Sequence, residues 1–225
     1  MVQNLYENNE IVISGVIATE ASFSHEVYGE GFYSFYIDVK RLSDSYDRIP
    51  VTVSERLTNF TDFKVGTFVE IEGQFRSYNA VGADNNRLLL SVFAREVYVR
   101  ENSEDQKNEN QISLNGFICK KPIYRTTPFG REISDILLAV NRTYNKSDYI
   151  PCISWGRNAR YCSTFNIGDN VKVWGRVQSR EYQKKFQDGT VENRVAYEVS
   201  VSKLEIVKND NNNAGENNSD IDKAN

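Results

Sequence analysis

Val171-Lys-Val-Trp-Gly-Arg-Val-Gln178 sets valine at 171, 173 and 177 and interleaves Lys172, Trp174 and Arg176 between them. Successive side chains of a strand point to opposite faces, so this segment reads as a strand with one apolar face and one face carrying an indole among cations. A matching strand, Glu70-Ile-Glu-Gly-Gln-Phe-Arg76, lies 102 residues earlier. It keeps the apolar face and the central glycine but has Glu70 for Lys172 and Glu72 for Trp174. The pleat is conserved between the two copies and the charge is inverted.

Outward from this pair the chain repeats. Gly15 matches Gly116, Val39 matches Val140, Arg41 matches Arg142 and Ile49-Pro50 matches Ile150-Pro151, all 101 residues apart. Gly66 with Gly168, Gly73 with Gly175 and Ser77 with Ser179 follow at 102, and Ser91-Val92 with Ser200-Val201 at 109. A register held over that length points to a duplicated domain whose second copy has a longer final hairpin. The polar stretch between the copies contains no apolar residue and reads as a linker. The expected organisation is a first domain at 8–101, a linker at 102–109, a second domain at 110–208 and a polar, Asn-rich, disordered acidic tail at 209–225.

Each copy reads as short strands rich in Val, Ile, Tyr and Phe bounded by Gly, Asn and Asp, so the class is all-β. A short helix is expected before each of Gly66 and Gly168, around 55–63 and 158–164. Five strands with a helix between the third and fourth is the order of an OB barrel, although periodicity allows another small barrel or a sandwich as well. The glycines at 15, 116, 73 and 175 fall inside strands, where they mark bulges or tight bends.

Composition narrows the function classes. Hydrophobic residues make up 40% of the chain and aromatics 12%, enough to build a core. Three cysteines without a CxxC pair and a single histidine leave no zinc set, so reduced thiols and no metal or cofactor are expected. His25 has no nucleophile motif near it and no phosphate-loop glycine pattern is present, which excludes the familiar enzyme signatures. With no long apolar run and no basic-then-apolar leader, a cytoplasmic chain without membrane contact is expected. The net charge of −4 conceals a division. Residues 1–101 hold 9 Lys and Arg against 15 Asp and Glu, whereas residues 112–208 hold 16 against 9. The second half has the electrostatics of a polyanion binder.

The second half also resembles the bacterial single-stranded DNA-binding proteins (SSB) of the OB-fold family. The resemblance runs through Leu114-Asn-Gly-Phe-Ile-Cys, Pro122-Ile-Tyr-Arg-Thr-Thr-Pro-Phe-Gly-Arg131, Leu138-Ala-Val-Asn-Arg142, Asp148-Tyr-Ile-Pro-Cys-Ile-Ser-Trp-Gly-Arg157, Gly175-Arg-Val-Gln-Ser-Arg-Glu-Tyr182, and Asp188-Gly189 followed by Tyr197-Glu-Val. It implies two tandem five-stranded OB folds, single-stranded DNA as the partner, and a homodimer presenting four OB folds. It also implies roles in replication, recombination and repair, with repair or replication proteins as further partners. The tail departs from the family pattern because it lacks a terminal Pro-Phe.

By the same resemblance, Tyr144, Tyr149, Trp155 and Tyr182 occupy stacking positions. Bases on exposed rings contribute about 1–3 kcal/mol each without reading sequence, and cations hold the phosphates. Arg142 precedes Tyr144, Arg157 follows Trp155, and Arg176, Arg180 and Lys184 surround Tyr182. Together with Arg125 these form the expected nucleic-acid face. Trp174 either joins it or packs against a neighbouring domain. The first copy has Ser43, Arg48 and Ser54 where the second has Tyr144, Tyr149 and Trp155. It is therefore expected to serve assembly, with Tyr33, Phe35 and Ile37 as core or interface. Tyr28, Phe32, Tyr36 and Tyr78 remain as rings that could reach a base. An OB adaptor that contacts DNA weakly, or a sequence-tolerant RNA binder, fits the same residues.

Overall fold

The computed structural model describes residues 8–57, 63–80, 87–101, 106–186 and 188–207. The expected tail, the first half of the linker, and much of the helix expected around 55–63 lie outside the described residues.

Six strands form the first half: β1 (Asn9–Ile17), β2 (Ser22–Val27), β3 (Glu30–Lys40), β4 (Tyr46–Ser54), β5 (Phe68–Ala80) and β6 (Arg87–Val99). The second half repeats them as β7 (Asn110–Ile118), β8 (Ile123–Thr126), β9 (Glu132–Asn141), β10 (Ser147–Trp155), β11 (Asn170–Lys185) and β12 (Val191–Ile206). Helix α1 (Arg157–Cys162) lies between β10 and β11, one residue before the expected start. In each half five strands close into a barrel. The first closes through the β1–β3 pairing and a parallel β4–β6 pairing, and the second through β7–β9 and a parallel β10–β12 pairing. The short strands β2 and β8 extend the sheet outside the barrels. These are two OB folds.

Strand alternation builds each interior. Ile11, Ile13, Phe35, Ile37, Val51, Val53, Val69, Ile71 and Phe75 are buried in the first barrel; Val171, Val173, Val177 and Val199 are among their counterparts in the second. Each such side chain contributes about 1.5–3 kcal/mol when fully buried. Phe35 and Ile37 are therefore core, while Tyr33 is half-buried and packs edge-on against Phe23.

The last strand corrects the repeat read from sequence. Gly73 pairs with Ala94 and Gly175 with Val201, and Phe75 pairs with Val92 as Val177 does with Val199. The final strands thus correspond at an offset of 107, so Ser91 matches Glu198 and Phe93 matches Ser200. The Ser-Val match at 109 is a local coincidence. A slip of two residues leaves every side chain on its proper face, so strand alternation does not distinguish the two registers. The ladder sets the true register through a bulge at each central glycine. A Cβ on Gly175 would fall 2.2 Å from the Ser200 carbonyl oxygen, so only glycine permits that approach.

The barrels join through β1 and β7, which pair antiparallel with Ile11 opposite Ile112 and make one continuous twelve-stranded sheet. The join has an internal two-fold character. Asn9 exchanges two side-chain hydrogen bonds with the Phe75 backbone, and Asn110 does the same with Val177. Asp47 of the first barrel accepts from the Ser179 backbone N–H and hydroxyl, and Asp148 of the second accepts from the same groups of Ser77. Each barrel's long strand thereby crosses over the other barrel. That crossing decides where the candidate residues sit.

Candidate nucleic-acid interface

On β10 the alternation turns Asp148, Ile150 and Cys152 inward and leaves Tyr149, Pro151, Ile153 and Trp155 on the outer face. Tyr149 and Trp155 are 44% and 39% exposed, so each offers a ring to solvent while its stem is packed. Arg125, on β8 across β9, lies on the same face and pairs with Asp135 at 2.9 Å. Arg157 follows Trp155 across Gly156 at the start of α1 and has no ion-pair partner among the described residues. Tyr144 stands in the β9–β10 turn with φ 60° and is 92% exposed. Arg142 opens that turn, where its backbone N–H donates to the Lys146 carbonyl.

Strand β11 carries the remaining candidates outward, and here the structure separates them. Beyond the bulge, Tyr182 and Lys184 line a groove of about 780 Å³ with Tyr197, Arg194 and Pro151 of the second barrel and Tyr36, Pro50 and Tyr78 of the first. Tyr78, on the crossing strand β5, is half exposed. Arg180 lies 5.8 Å above the Tyr182 ring, close enough for a cation–π contact, and 3.7 Å from Glu198. Lys184 sits 4.8 Å above Phe186. On the other side of the bulge, Trp174 and Arg176 line a separate cavity of about 570 Å³ at the β1–β7 join, with Glu10, Val12 and Gln111. Lys203 covers the Trp174 ring at 4.6 Å.

The candidates therefore fall into a β10 face, a groove between the barrels and a cavity at the join. The sequence comparison leaned toward assembly for the first barrel, yet Tyr36, Tyr78 and Pro50 complete the groove. A strand-by-strand substitution count could not place them, because the hairpins of the two copies exchange sides only once the barrels are assembled. Arg76 is a further cation outside the face expected from sequence. It lies 3.8 Å above Phe93 and donates to the Gln74 side chain.

The electrostatics of the two crossing points differ. Burial pushes the Asp47 carboxyl up, but the Arg41 bonds at 2.8 and 2.5 Å and the Ser179 donors outweigh it and hold the group below its usual value. At Asp148 burial prevails over the Ser77 bonds and the nearby Arg142 and Arg76 charges, and the carboxyl is raised. Its Oδ2 is buried without a hydrogen bond, 3.5 Å from Arg142. Cys119, Cys152 and Cys162 are free thiols, and burial raises all three.

Among the described residues no helix is long and apolar enough to cross a membrane. The single-strand binding protein family matches residues 109–207. Single-stranded DNA-binding protein B of Bacillus subtilis is 34% identical over 86 residues, covering 34% of this chain and 74% of the relative. Single-stranded DNA-binding protein 1 of Staphylococcus aureus is 36% identical over 83 residues, covering 34% of this chain and 50% of its own length. The chain spans about half the length of this relative and of several others it matches. The crystal structure of the wild-type single-stranded DNA binding protein from Thermus aquaticus superposes with a TM-score of 0.72 at 18% identity, covering 92% of this chain and 96% of that one, which places the fold across both barrels. A second-barrel match of this extent, on a tandem OB architecture, means that the chain belongs to the single-strand binding protein family.

Proposed function

We propose that the chain binds single-stranded DNA without reading its sequence, as a non-catalytic protein of replication, recombination and repair in the cytoplasm. The observation that carries this reading is the run of exposed rings flanked by cations. It passes from Trp155 and Tyr149 on the β10 face to Tyr182, Tyr36 and Tyr78 in the groove. Each base presents a π-face to such rings whatever its identity, and Arg157, Arg180 and Lys184 answer the phosphates. The domains proposed for this work are the first at 8–101 and the second at 110–208. Competition among oligo-dT, oligo-U and duplex DNA for a fluorescent oligo-dT tests it. Oligo-dT is expected to win, with affinity falling steeply as salt rises. Equal binding of duplex, or affinity indifferent to salt, counts against it.

The join cavity suggests a different task for Trp174 and Arg176. The outer face there is acidic on the first barrel's strands, at Glu10, Glu70 and Glu72, and basic on the second's, at Lys172, Arg176 and Lys203. Two such faces laid together about a two-fold axis would set each acidic half on the other's basic half and cover Trp174. The proposed assembly is this homodimer. Sedimentation of the wild type is expected to give a particle of twice the 25.8 kDa chain mass. Trp174→Asp is expected to give a monomer, and a wild type that sediments as a monomer contradicts the dimer.

A further inference from the structure

The first barrel contains a cavity of about 350 Å³ on its outer face, bordered by His25, Thr52, Arg76, Ser91, Phe93 and, from the second barrel, Arg142. Two guanidinium groups border one small enclosure. Arg76 is half-buried, lies flat on Phe93 at 3.8 Å, and is answered only by the neutral Gln74 side chain, with no carboxylate in ion-pair reach among the described residues. Burial depresses its guanidinium to about 10, the charges of Arg142 and Arg95 add to this, and the Asp148 charge opposes it only in part. Arg142 is held loosely, 3.5 Å from Asp148, whereas its two-fold mate Arg41 grips Asp47 with two bonds. Counting Asp148 against Arg142, the enclosure keeps one uncompensated positive charge.

The corrected register shows what is missing. In the second barrel the equivalent positions hold Gln178 for Arg76, Ile153 for Thr52 and Glu198 for Ser91. There the nearly buried Glu198 accepts from Gln178 at 2.9 Å and pairs with Arg180, so that site is closed by its own carboxylate. The first barrel has a cation, Arg76, where the second has Gln178 and, in place of the carboxylate, the Ser91 hydroxyl, which bonds to Thr52 at 3.0 Å. An anion from outside fits where Glu198 sits in the mate.

We propose that this cavity binds a phosphate group, held by Arg76 of the first barrel and Arg142 of the second, so that the acidic barrel anchors the backbone of a strand it does not stack. The inference deepens the proposed function and rests on it only for the source of the phosphate. Guanidinium pairs match the tetrahedral oxygens of phosphate with charge-assisted bonds, and the hydroxyls supply neutral donors.

The test uses the full chain. Inorganic phosphate is expected to shift the side-chain Nε–Hε resonances of Arg76 and Arg142 in the wild type. Arg76→Gln, which copies the second barrel, is expected to weaken that binding about tenfold, the loss of one charge-assisted bond. Ser91→Glu, which supplies the carboxylate internally, is expected to abolish it. Both variants are also expected to reduce the slope of log affinity for oligo-dT against log salt by about 0.7. Phosphate shifts with unchanged slopes would keep the site and assign it to a free phosphate or nucleotide. No shift in the wild type, together with unchanged slopes in both variants, overturns the site. The absolute affinity of the wild type for oligo-dT, measured in the same series, reports separately on the proposed function.

Discussion

A protein carrying both Trp155→Ala and Tyr182→Ala is expected to bind oligo-dT about a hundredfold more weakly than the wild type, with each single change giving about tenfold. The two rings lie on different strands, one on the β10 face and one in the groove between barrels, and both are more than a third exposed. Neither fills the core, so melting temperatures should barely move. The size of the loss follows from stacking, worth about 1–3 kcal/mol per base, and separate positions add. Fluorescence anisotropy at fixed salt measures it. An additive loss with an unchanged salt slope means that rings rather than charges were removed. A loss in one variant only would confine the strand to one of the two surfaces.

Which parts of this were legible before any coordinates depends on distance along the chain. The apolar face of Val171, Val173 and Val177 and the bulge at Gly175 are local, and a period of two with one glycine reports them directly. Tyr149 and Trp155 are stacking positions by the family resemblance, and their shared place on the exposed face of one strand is local enough for alternation to agree with it. The groove was not legible. Tyr36, Tyr78 and Tyr182 come from three strands in two barrels, and only the crossing held by Asp47 with Ser179 and Asp148 with Ser77 brings them to one cavity. Trp174 stayed open between two roles for the opposite reason. It shares its strand and outward direction with Tyr182, yet the bulge and the β1–β7 join put it in a different cavity. Arg76 was hidden by the slip of two in the final strand, because Ser91 was set against Ser200 and the exchange of Glu198 for Ser91 did not show.

Asp47→Ala is expected to destabilise the chain by about 3 kcal/mol at neutral pH, the largest effect on stability anticipated for a single change. The carboxylate side chain is almost fully buried and joins four groups: the Arg41 Nε and Nη2, and the Ser179 N–H and hydroxyl. Removing it leaves the Ser179 N–H without its acceptor and frees Arg41. The pH dependence has a definite sign. Because the folded Asp47 sits below its usual value, its contribution is present above the unfolded value and is lost as pH falls through the folded one. Asp148 runs the other way. Its folded value is raised, so its ionisation opposes folding, and stability is gained as pH falls through that raised value. Asp47→Asn should therefore flatten the acid limb of the stability curve, while Asp148→Asn should remove a gain in stability on mild acidification. Urea unfolding between pH 3 and 7 measures both. Identical pH profiles for the two variants would show that the crossings are electrostatically equivalent, contrary to the geometry at Arg41 and Arg142.

A bound single strand is expected to lie across the exposed rings of β10 and not against the join cavity. The chain has two tryptophans, so Trp174→Phe leaves Trp155 as the sole indole reporter. Titrating that variant with oligo-dT in low salt is expected to quench most of its fluorescence and to restore it as salt is raised. Quenching that instead vanishes in Trp174→Phe and persists in Trp155→Phe would contradict this path and place the strand over the join cavity.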